Sequence, residues 1–454
     1  MMWKLSEAAA RIGGRVEGAD IGFDAVGTDS RVDCRHRLFV ALRGARCDGH
    51  DFVAQARQRG AAAALVDHRL AEDIPQLVVD DTRRALGRLA AAWRSRIRAR
   101  VIAVTGSNGK TTCKEMIAAV LDRAGSVRAT SGNLNNDIGL PLTLLAARDE
   151  DFLVLEMGAN HPGEIAYLTD IGRPDIAVIT NAGRAHLEGF GGLEDVARAK
   201  GEIARGLPLD GTLVVPSDSP WTHLWRDLAA NCRVSTCGPD AAADIYAELD
   251  GRRSLWDRDG FRTEFSVRVG GSSLELTLGL AGRHNIRNAL VAVAVADALG
   301  VEPAAIQAGL AGLQPIPGRL YPRRGAAGLR LIDDSYNGNP DSVRAAIEVL
   351  VDLPGRHWLV LGDLVELGAD AEAMHRELGE AACTAGVDRL YTVGTLSALA
   401  AAAFGSGGRH FPDQVSLISE LCVGTGPDDL VLIKGSRSAA MERVVDAIRT
   451  REEA

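Results

Sequence analysis

The sequence predicts an α/β protein of three domains, two of which are built around a mainly parallel sheet. The chain has 454 residues, and domains usually contain roughly 100–200 residues, so several are expected. From residue 101 onward, apolar strand candidates alternate with helix candidates, the pattern of parallel strands joined by helical crossovers. A Pro- and Gly-rich stretch at 312–318 interrupts this alternation, which then restarts. We therefore expect domains at 1–85, 86–313 and 314–454.

The composition argues against several classes of protein. Hydrophobic residues make up 46% and charged residues 24%, so the chain can bury sizeable cores. Aromatic residues are only 4% and the net charge is −9, which disfavours a surface for nucleic acid. No apolar run reaches the ~18–20 residues of a bilayer span, and the N-terminus reads as an amphipathic helix rather than a signal peptide. Seven cysteines without a C-x-x-C pair indicate reduced thiols. We expect a cytoplasmic monomer that does not bind nucleic acid and does not insert stably into a membrane.

The first domain is expected to be a small α/β unit. Strands are predicted at 39–42, 62–66 and 76–79, and a helix is predicted to begin near Asp51. The arginine-rich segment at 82–100 has helical spacing and is predicted to lead into the second domain. Because a solvated helical face is the commoner origin of such a charge run, it is weak evidence for a nucleic-acid site.

The second and third domains show the clearest alternation. The elements predicted for the second domain are strands at 101–105, 152–155, 176–180 and 212–215, helices at 114–124, 193–205 and 285–299, and a β-hairpin formed by 261–269 and 273–280. The turn of that hairpin falls at Gly270-Gly271, which suits a tight connection. The elements predicted for the third domain are strands at 329–332, 357–361, 389–393 and 430–433, and helices at 341–351, 370–385, 396–403 and 437–449. Their order is Rossmann-like.

A glycine-rich turn joins the first strand of the second domain to a helix and reads TGSNGKTT. Backbone N–H groups of such a turn bind phosphates, Lys110 would neutralise the β- and γ-phosphate oxygens, and the Thr111 hydroxyl would bind Mg²⁺. The general P-loop pattern needs glycine five residues before Gly109, where this chain has Val104, so an ordinary P-loop NTPase is disfavoured. A purely structural turn is the alternative. The predicted ATP-binding residues here are Thr105, Gly106, Ser107, Asn108, Gly109, Lys110, Thr111 and Thr112.

Lysine is rare in this chain and therefore informative. The five lysines among 51 basic residues are Lys4, Lys110, Lys114, Lys200 and Lys434. Because arginine supplies nearly all the positive charges of this chain, a lysine is a candidate for chemistry that arginine cannot perform. Examples are a point charge on phosphate and a modifiable amine. Glu156 ends a predicted parallel strand beside the glycine-rich turn, where a carboxylate can hold a metal ion. A capping or surface glutamate is the alternative.

Motifs in a consistent order over essentially the whole chain resemble the Mur ligase family of peptidoglycan synthesis. They are TGSNGKTT, LEMGANHPGEI, ITNAGRAHLEGFG, AKGEI, GRHNIRNA and DDSYNGNP. The strings TDSR, LFVALRG and DGHDF near the N-terminus resemble the uridine-nucleotide domain of the two later ligases. NLNNDIGLP, EMGAN and DDSYNGNP are similar to the member that adds D-alanyl-D-alanine, whereas the D-N-P-R string of the third-residue ligase is absent. Asp137 in place of Glu and Gly338 in place of Ala are small departures.

The resemblance implies a uridine-nucleotide domain, a central ATPase domain and a C-terminal Rossmann-like domain on the D-Ala-D-Ala side. It implies a ligase that uses ATP and two Mg²⁺ ions to form an amide. The terminal carboxylate of UDP-N-acetylmuramoyl-tripeptide would take the γ-phosphoryl group, and the amine of D-Ala-D-Ala would attack the acyl phosphate. The product would be the UDP-MurNAc-pentapeptide of cell wall biogenesis, on which cell shape and division depend.

The same resemblance implies the residues that act on phosphate and metal. Lys200 is implied to be carbamylated, which makes it an anionic Mg²⁺ ligand; a solvated lysine on a helix face is the alternative. His186 follows the strand at 176–180 and is implied to lie at the second Mg²⁺, although a lone histidine is more often structural. The implied catalytic residues are Lys110, Lys200, His186 and Arg319, and the implied metal ligands are Thr111, Glu156, His186 and Lys200.

The resemblance also implies which residues bind the nucleotide and the two substrates. Asn285 and Asn288 lie three apart at a predicted helix start and would meet adenine, although Asn285 could instead cap the helix. The other implied nucleotide contacts are Asp334, Tyr336, Asn337 and Asn339. The implied substrate contacts are Ser30 and Arg31 for the uracil nucleotide, Asn133, Asn136 and Asn160 for the peptide channel, and Lys434 and Arg437 for the D-Ala-D-Ala carboxylate.

Three other functions remain open on the sequence. The first two are amide ligases of the same architecture, a third-residue Mur ligase and a folylpolyglutamate-type synthase; the latter would not need TDSR and DGHDF. The third is a non-catalytic nucleotide switch. The failed general P-loop spacing, the lack of an N-K-x-D guanine motif and the lysine at 200 argue against a switch.

Overall fold

The structure is a computed structural model that describes residues 1–184, 187–230, 232–249, 254–257 and 260–449. His186, predicted as a metal ligand, lies outside the described residues. Within those residues, no helix combines the length and the apolar composition that a membrane span requires. Short 3₁₀ helices lie at Gly49–Phe52, Glu202–Gly206, Ala326–Gly328, Gly368–Asp370 and Arg437–Ala439.

The N-terminal unit is a small α/β layer. Its strands are β1 Trp3–Lys4, β2 Arg15–Glu17, β3 Gly22–Phe23, β4 Ala25–Gly27, β5 Arg37–Val40, β6 Ala63–Val66 and β7 Gln76–Val78, and its helices are α1 Leu5–Ile12, α2 Val53–Gln58 and α3 Thr82–Arg94. Strands β4, β5, β6 and β7 are parallel in that order, and β2 is antiparallel at the β7 edge. The strands predicted here are confirmed to within two residues.

The central unit contains the longest sheet. Its strands are β8 Arg100–Thr105, β9 Val127–Ala129, β10 Phe152–Glu156, β11 Ile176–Ile179, β12 Thr212–Pro216, β13 Arg233–Gly238, β14 Ile245–Tyr246, β15 Leu255–Trp256, β16 Phe261–Val269 and β17 Ser272–Leu278. Its helices are α4 Lys110–Leu121, α5 Gly139–Ala146, α6 Glu164–Gly172, α7 Leu187–Phe190, α8 Leu193–Gly201, α9 Thr222–Ala229, α10 Arg283–Ala298 and α11 Pro303–Ala311. Parallel strands follow the order β9-β10-β8-β11-β12-β13-β14, and antiparallel β16 carries β15 and β17.

The C-terminal unit is a Rossmann-like sheet with helices. Its strands are β18 Tyr321–Arg324, β19 Arg330–Asp334, β20 Arg356–Gly362, β21 Arg389–Val393, β22 Gly408–Phe411 and β23 Asp429–Lys434, and its helices are α12 Pro340–Asp352, α13 Ala371–Ala385, α14 Ser397–Phe404, α15 Gln414–Gly424 and α16 Glu442–Ile448. The order is β18-β19-β23-β20-β21-β22, parallel except for β18. The α/β class with mainly parallel sheets is confirmed.

Two predicted helices are shorter in the structure. The helix predicted at 193–205 ends as α8 at Gly201 and continues as a 3₁₀ turn. The helix predicted at 437–449 is split, because Ala440 adopts a left-handed backbone with φ of +49° between the 3₁₀ turn and α16. The predicted hairpin turn is confirmed, and both of its glycines have positive φ, +53° at Gly270 and +88° at Gly271.

Helix α3 joins the N-terminal and central units. The Asp81 side chain accepts hydrogen bonds from the first turn and caps the helix start. Leu86 and Leu89 are buried in a core shared by α1, α5 and α6. The expected boundary between residues 85 and 86 therefore falls inside a helix that packs on both units, and the domain limits remain predictions.

Candidate active site

The site lies where the chain order of the central sheet reverses. Strand β8 is flanked by β10 on one side and β11 on the other, so loops leave its carboxyl end in opposite directions and open a crevice. A cavity of 1280 Å³ fills this crevice and extends to the C-terminal unit. The predicted site residues that line it are Ser107, Asn108, Gly109, Lys110, Thr111, Thr112, Asn133, Asn136, Glu156, Asn160, Asn285, Asn288, Arg319, Asp334, Tyr336, Asn337, Asn339, Lys434 and Arg437.

The glycine-rich loop is held by the segment after β11. Thr180 Oγ1 donates to the Asn108 carbonyl at 2.6 Å, and Asn181 Oδ1 accepts from the Asn108 N–H at 2.9 Å. These bonds hold the loop in place before the N-terminus of α4. The free backbone N–H groups of a helix N-terminus favour the binding of an anion such as phosphate. Thr180 and Asn181 were not predicted as site residues, although they lie at the carboxyl end of a strand, within the ITNAG motif.

Gly106→Ala is expected to abolish measurable nucleotide binding. Gly106 has φ of +147°, and an added Cβ would lie 1.9 Å from Thr180 Oγ1, so the loop cannot keep its shape. Calorimetric titration with ATP measures the loss. Gly300→Ala is the matched control, because Gly300 has positive φ but open space around its Cβ position. If Gly106→Ala binds ATP as the wild type does, the loop shape does not determine binding.

Lys110 is folded onto its own loop. Its Nζ donates to the carbonyls of Gly106 at 2.6 Å and Ser107 at 3.3 Å. Burial lowers the Lys110 pKa, and the charge of Glu156 partly opposes this shift. Thr105 is buried, and its Oγ1 donates to the Met157 carbonyl at 2.8 Å, so its side chain holds the end of β8 rather than facing the cavity.

Glu156 has the surroundings of a metal ligand. It ends β10 and is 2% exposed. Its Oε1 accepts from Asn135 Nδ2 at 2.8 Å, whereas Oε2 is buried without a hydrogen-bond partner in the described part of the chain. A buried carboxylate oxygen left unpaired is costly, and a hard cation removes that cost. With the Thr111 hydroxyl on the same cavity wall, the donor set fits Mg²⁺. The capping and surface alternatives for Glu156 are wrong.

Lys200 is buried behind the cavity wall. Its side chain is 2% exposed, and its Nζ lies 3.4 Å from the Ala159 carbonyl and 5.2 Å from the centre of the Phe190 ring. Burial and the nearby charge of Lys110 lower the Lys200 pKa to about 7. A large fraction of this amine is therefore neutral near neutral pH. The solvated helix-face alternative is wrong, because the helix places this lysine against the core.

Residues of the C-terminal unit reach the phosphate loop. Arg319 Nη2 donates to Thr111 Oγ1 at 3.1 Å, and Asn339 Nδ2 donates to Asn108 Oδ1 at 2.7 Å. The Arg319 guanidinium carbon lies 4.4 Å from the centre of the Tyr336 ring, a cation–π contact that orients the side chain. The cavity therefore lies between two units that already touch at its phosphate end.

Asp334 and Lys434 form a buried ion pair. Lys434 Nζ donates to Asp334 Oδ2 at 2.6 Å and to the Asn337 carbonyl at 2.9 Å. Asp334 Oδ1 accepts from the Leu320 N–H at 3.1 Å. Burial raises the Asp334 pKa, and Lys434 opposes that shift. Their pairing joins β19 to β23 at the cavity wall. The nucleotide contact implied for Asp334 and the dipeptide contact implied for Lys434 remain predictions.

The asparagines of α10 form a buried pair on the cavity wall. Asn285 Nδ2 donates to the Ala281 carbonyl at 2.8 Å, and Asn285 Oδ1 accepts from Asn288 Nδ2 at 3.2 Å. Because α10 begins at Arg283, Asn285 is not its N-cap. His284 also lines the cavity, and burial, with the charges of Lys434 and Arg287, lowers its pKa to about 4. His284 was not predicted as a site residue, although it lies within the GRHNIRNA motif.

The expected uracil residues do not line the cavity. Ser30 Oγ donates to Gln55 Oε1 at 2.6 Å, and Arg31 pairs with Asp29 at 2.9 Å, which lowers the Asp29 pKa to about 2. Their roles remain predictions. Asn136, expected in the peptide channel, accepts at 2.9 Å from the Gly139 N–H through its Oδ1.

The fold and the cavity define a three-unit α/β protein with a glycine-rich loop and a large cavity between its central and C-terminal units. Three family models match successive parts of the chain. They are the catalytic domain of the Mur ligase family at residues 22–94, the Mur ligase middle domain at 104–296, and the glutamate ligase domain of Mur ligases at 318–437. The chain belongs to the Mur ligase family, as its motifs predicted.

Individual relatives show which members of the family this chain is similar to. The UDP-N-acetylmuramoyl-tripeptide–D-alanyl-D-alanine ligase of Escherichia coli (strain K12) is 46% identical over 449 residues, which cover 98% of both chains. A crystal structure of MurF from Acinetobacter baumannii aligns with a TM-score of 0.91 at 36% identity, covering 98% of both chains. MurF ligase from Thermotoga maritima, solved with ADP, aligns with a TM-score of 0.82 at 30% identity, covering 93% of this chain and 96% of that one.

Proposed function

We propose that this chain joins D-alanyl-D-alanine to UDP-N-acetylmuramoyl-tripeptide in an ATP-dependent reaction that yields the UDP-MurNAc-pentapeptide of peptidoglycan synthesis. The observation that carries the proposal is the full-length identity of 46% to a ligase of that name. The cavity supports it, because a phosphate loop, a buried carboxylate with one unpaired oxygen, and Arg319 of the C-terminal unit converge there. The full-length match to this ligase disfavours both the folate-type synthase and the non-catalytic switch.

The main physical obstacle in this reaction is the approach of two anions, the substrate carboxylate and the γ-phosphate. Two unit charges 4 Å apart repel by about 1 kcal/mol in water and by about 4 kcal/mol at a protein surface. Lys110 and Arg319 both line the cavity, and Arg319 donates to Thr111 Oγ1, so both supply positive charge where the γ-phosphate would lie. A carboxylate oxygen then attacks the γ-phosphorus and ADP leaves, which gives an acyl phosphate. The dipeptide amine attacks the acyl carbon, loses a proton, and inorganic phosphate leaves.

Mg²⁺ would neutralise phosphate charge when bound. Thr111 and Glu156 would hold one ion, since Glu156 Oε2 is buried and unpaired among the described residues. Lys200 would serve the second ion as a carbamate, together with His186, which lies outside the described residues. The carbamate forms when the neutral Lys200 amine adds to carbon dioxide and releases a proton. The lowered pKa of Lys200 makes that neutral amine available near neutral pH.

Arg319→Ala is expected to lower kcat about 10- to 100-fold with a smaller change in the KM for ATP, because its charge acts on the phosphoryl group during transfer. Steady-state phosphate release measures both constants. Arg324→Ala, an exposed arginine at the end of β18, is the control and should stay within about twofold of wild type. An Arg319→Ala variant with wild-type kcat would remove Arg319 from the mechanism.

A substrate panel tests the proposed function. UDP-MurNAc-dipeptide and UDP-MurNAc-tripeptide are each combined with D-Ala-D-Ala or with a free diamino acid, and phosphate release is followed. We expect stoichiometric release only with the tripeptide and D-Ala-D-Ala together. Release with the dipeptide substrate and a diamino acid would indicate the third-residue ligase. Nucleotide binding without release in any combination would indicate a non-catalytic switch. A monomeric state and a cytoplasmic location remain predictions.

A further inference from the structure

Lys114 is a buried lysine behind the phosphate loop, and the mechanism above does not use it. It lies on α4, four residues after Lys110, with 1% of its surface exposed, and it does not line the cavity. Burying an ammonium is expensive, and an apolar side chain of the same length would fill the space at lower cost. Its presence in a chain with only five lysines therefore calls for a role that depends on its charge or its hydrogen bonds.

The contacts of Lys114 lead to Glu156. Its Nζ donates to the Thr130 carbonyl at 2.6 Å and pairs with the Glu115 carboxylate. Thr130 is 1% exposed and directly follows β9. The Thr130 Oγ1 accepts from the Glu156 N–H at 2.9 Å, and the Thr130 N–H donates to the Val154 carbonyl at 2.9 Å. Lys114 thus connects α4, through one residue, to the end of the strand that carries Glu156.

The two elements joined in this way carry the two proposed ligands of one metal ion. Helix α4 carries Thr111 in its first turn, and β10 ends at Glu156. Mg²⁺ requires near-octahedral geometry with ligand distances of about 2.0–2.1 Å, so a small change in the separation of its ligands weakens binding. A hydrogen bond from a charged donor is strong enough to hold this separation.

We propose that Lys114 is a positioning residue that sets the distance between Thr111 and Glu156 and so prepares the site for Mg²⁺. The proposal rests on the proposed function only in assigning a metal ion to that pair. Lys114 acts through Thr130 and touches neither nucleotide nor substrate. The loss of its ammonium is therefore expected to affect metal-dependent binding while leaving metal-free binding of the nucleotide unchanged.

The test compares binding of a fluorescent, non-hydrolysable ATP analogue to the full-length chain in EDTA and in saturating Mg²⁺. Lys114→Met keeps the length of the side chain and removes the ammonium. We expect this variant to bind the analogue in EDTA within about twofold of wild type and to lose at least about tenfold of the affinity gained with Mg²⁺. Glu115→Gln is the control, because it alters the other, half-buried partner of Lys114; it should keep the wild-type gain.

Each outcome decides the proposal. A Lys114→Met protein with the wild-type Mg²⁺ gain overturns it, even if its melting temperature falls, since the lysine would then be structural only. If Lys114→Met does not fold, Lys114→Gln decides, because it keeps a polar side chain and removes the ammonium: loss of the gain supports the proposal and retention overturns it. A wild type without any Mg²⁺ gain refutes the metal site itself, whereas the substrate panel tests the ligase activity separately.

Discussion

Lys200→Ala and Lys200→Arg are both expected to lose at least about 100-fold in kcat. The proposed second Mg²⁺ requires an anion at this buried position, which a carbamate on Lys200 would provide, whereas alanine leaves the position vacant and arginine brings a fixed positive charge. Short carboxylates such as acetate should partly restore Lys200→Ala and should not restore Lys200→Arg, whose side chain fills the space. Added bicarbonate should help neither variant. Steady-state phosphate release with both substrates measures these effects.

Arg198→Ala provides the matched control for Lys200. Arg198 lies on the same helix but is exposed and pairs with Glu194, so its loss should change kcat by no more than about twofold. A Lys200→Arg variant that keeps most of its activity would show that a positive charge suffices and that the carbamate assignment is wrong.

The pKa of Lys200 gives a second readout for the same assignment. Only the neutral amine adds to carbon dioxide, and with a pKa of about 7 the neutral fraction of Lys200 rises as the pH is raised from 6 to 8. With ¹³C-labelled bicarbonate, a carbamate carbon signal should therefore strengthen over this range in the wild type. The same signal should be missing from Lys200→Arg.

Glu156→Gln is expected to lower kcat by about 100-fold while leaving the fold intact. The amide keeps the shape of the side chain but removes the negative charge whose Oε2 is buried and unpaired among the described residues. The apparent Mg²⁺ concentration needed for half-maximal rate should rise, because the variant has lost an anionic ligand. Titration of the initial rate with Mg²⁺ at fixed ATP measures both effects.

Glu150→Gln is the control for Glu156. Glu150 lies just before the same strand and pairs with Arg128, away from the cavity wall. We expect its rate and Mg²⁺ requirement to stay within about twofold of wild type. If Glu156→Gln has the wild-type Mg²⁺ requirement, Glu156 does not hold the ion.

The parts of the site that could be predicted from sequence are those that follow a strand directly. The glycine-rich loop and Glu156 each lie at the carboxyl end of an apolar strand, and parallel pairing brings such ends together. Side-chain partners distant in sequence could not be predicted. Lys434 and Asp334 are both charged, but only the register of β19 against β23 places them in contact.

The secondary structure was also predicted only in part from the sequence. Long apolar strands of the parallel sheets were predicted within a few residues, because burial on both faces makes them continuous. Strand β22 was missed, since its GRHF sequence lies at a sheet edge and only Phe411 is buried. The boundary expected near residue 85 fell within α3, because helical periodicity does not indicate which of two units a helix packs against; here it packs on both.

Oxygen transfer tests the central claim, that this chain activates a carboxylate as an acyl phosphate before forming the amide. UDP-MurNAc-tripeptide labelled with ¹⁸O in its terminal carboxylate is incubated with ATP, D-Ala-D-Ala and the enzyme, and the released phosphate is analysed by mass spectrometry. If a carboxylate oxygen attacks the γ-phosphorus, each phosphate formed carries one oxygen from the labelled carboxylate. Phosphate without the label, released while the pentapeptide accumulates, would contradict the acyl-phosphate mechanism.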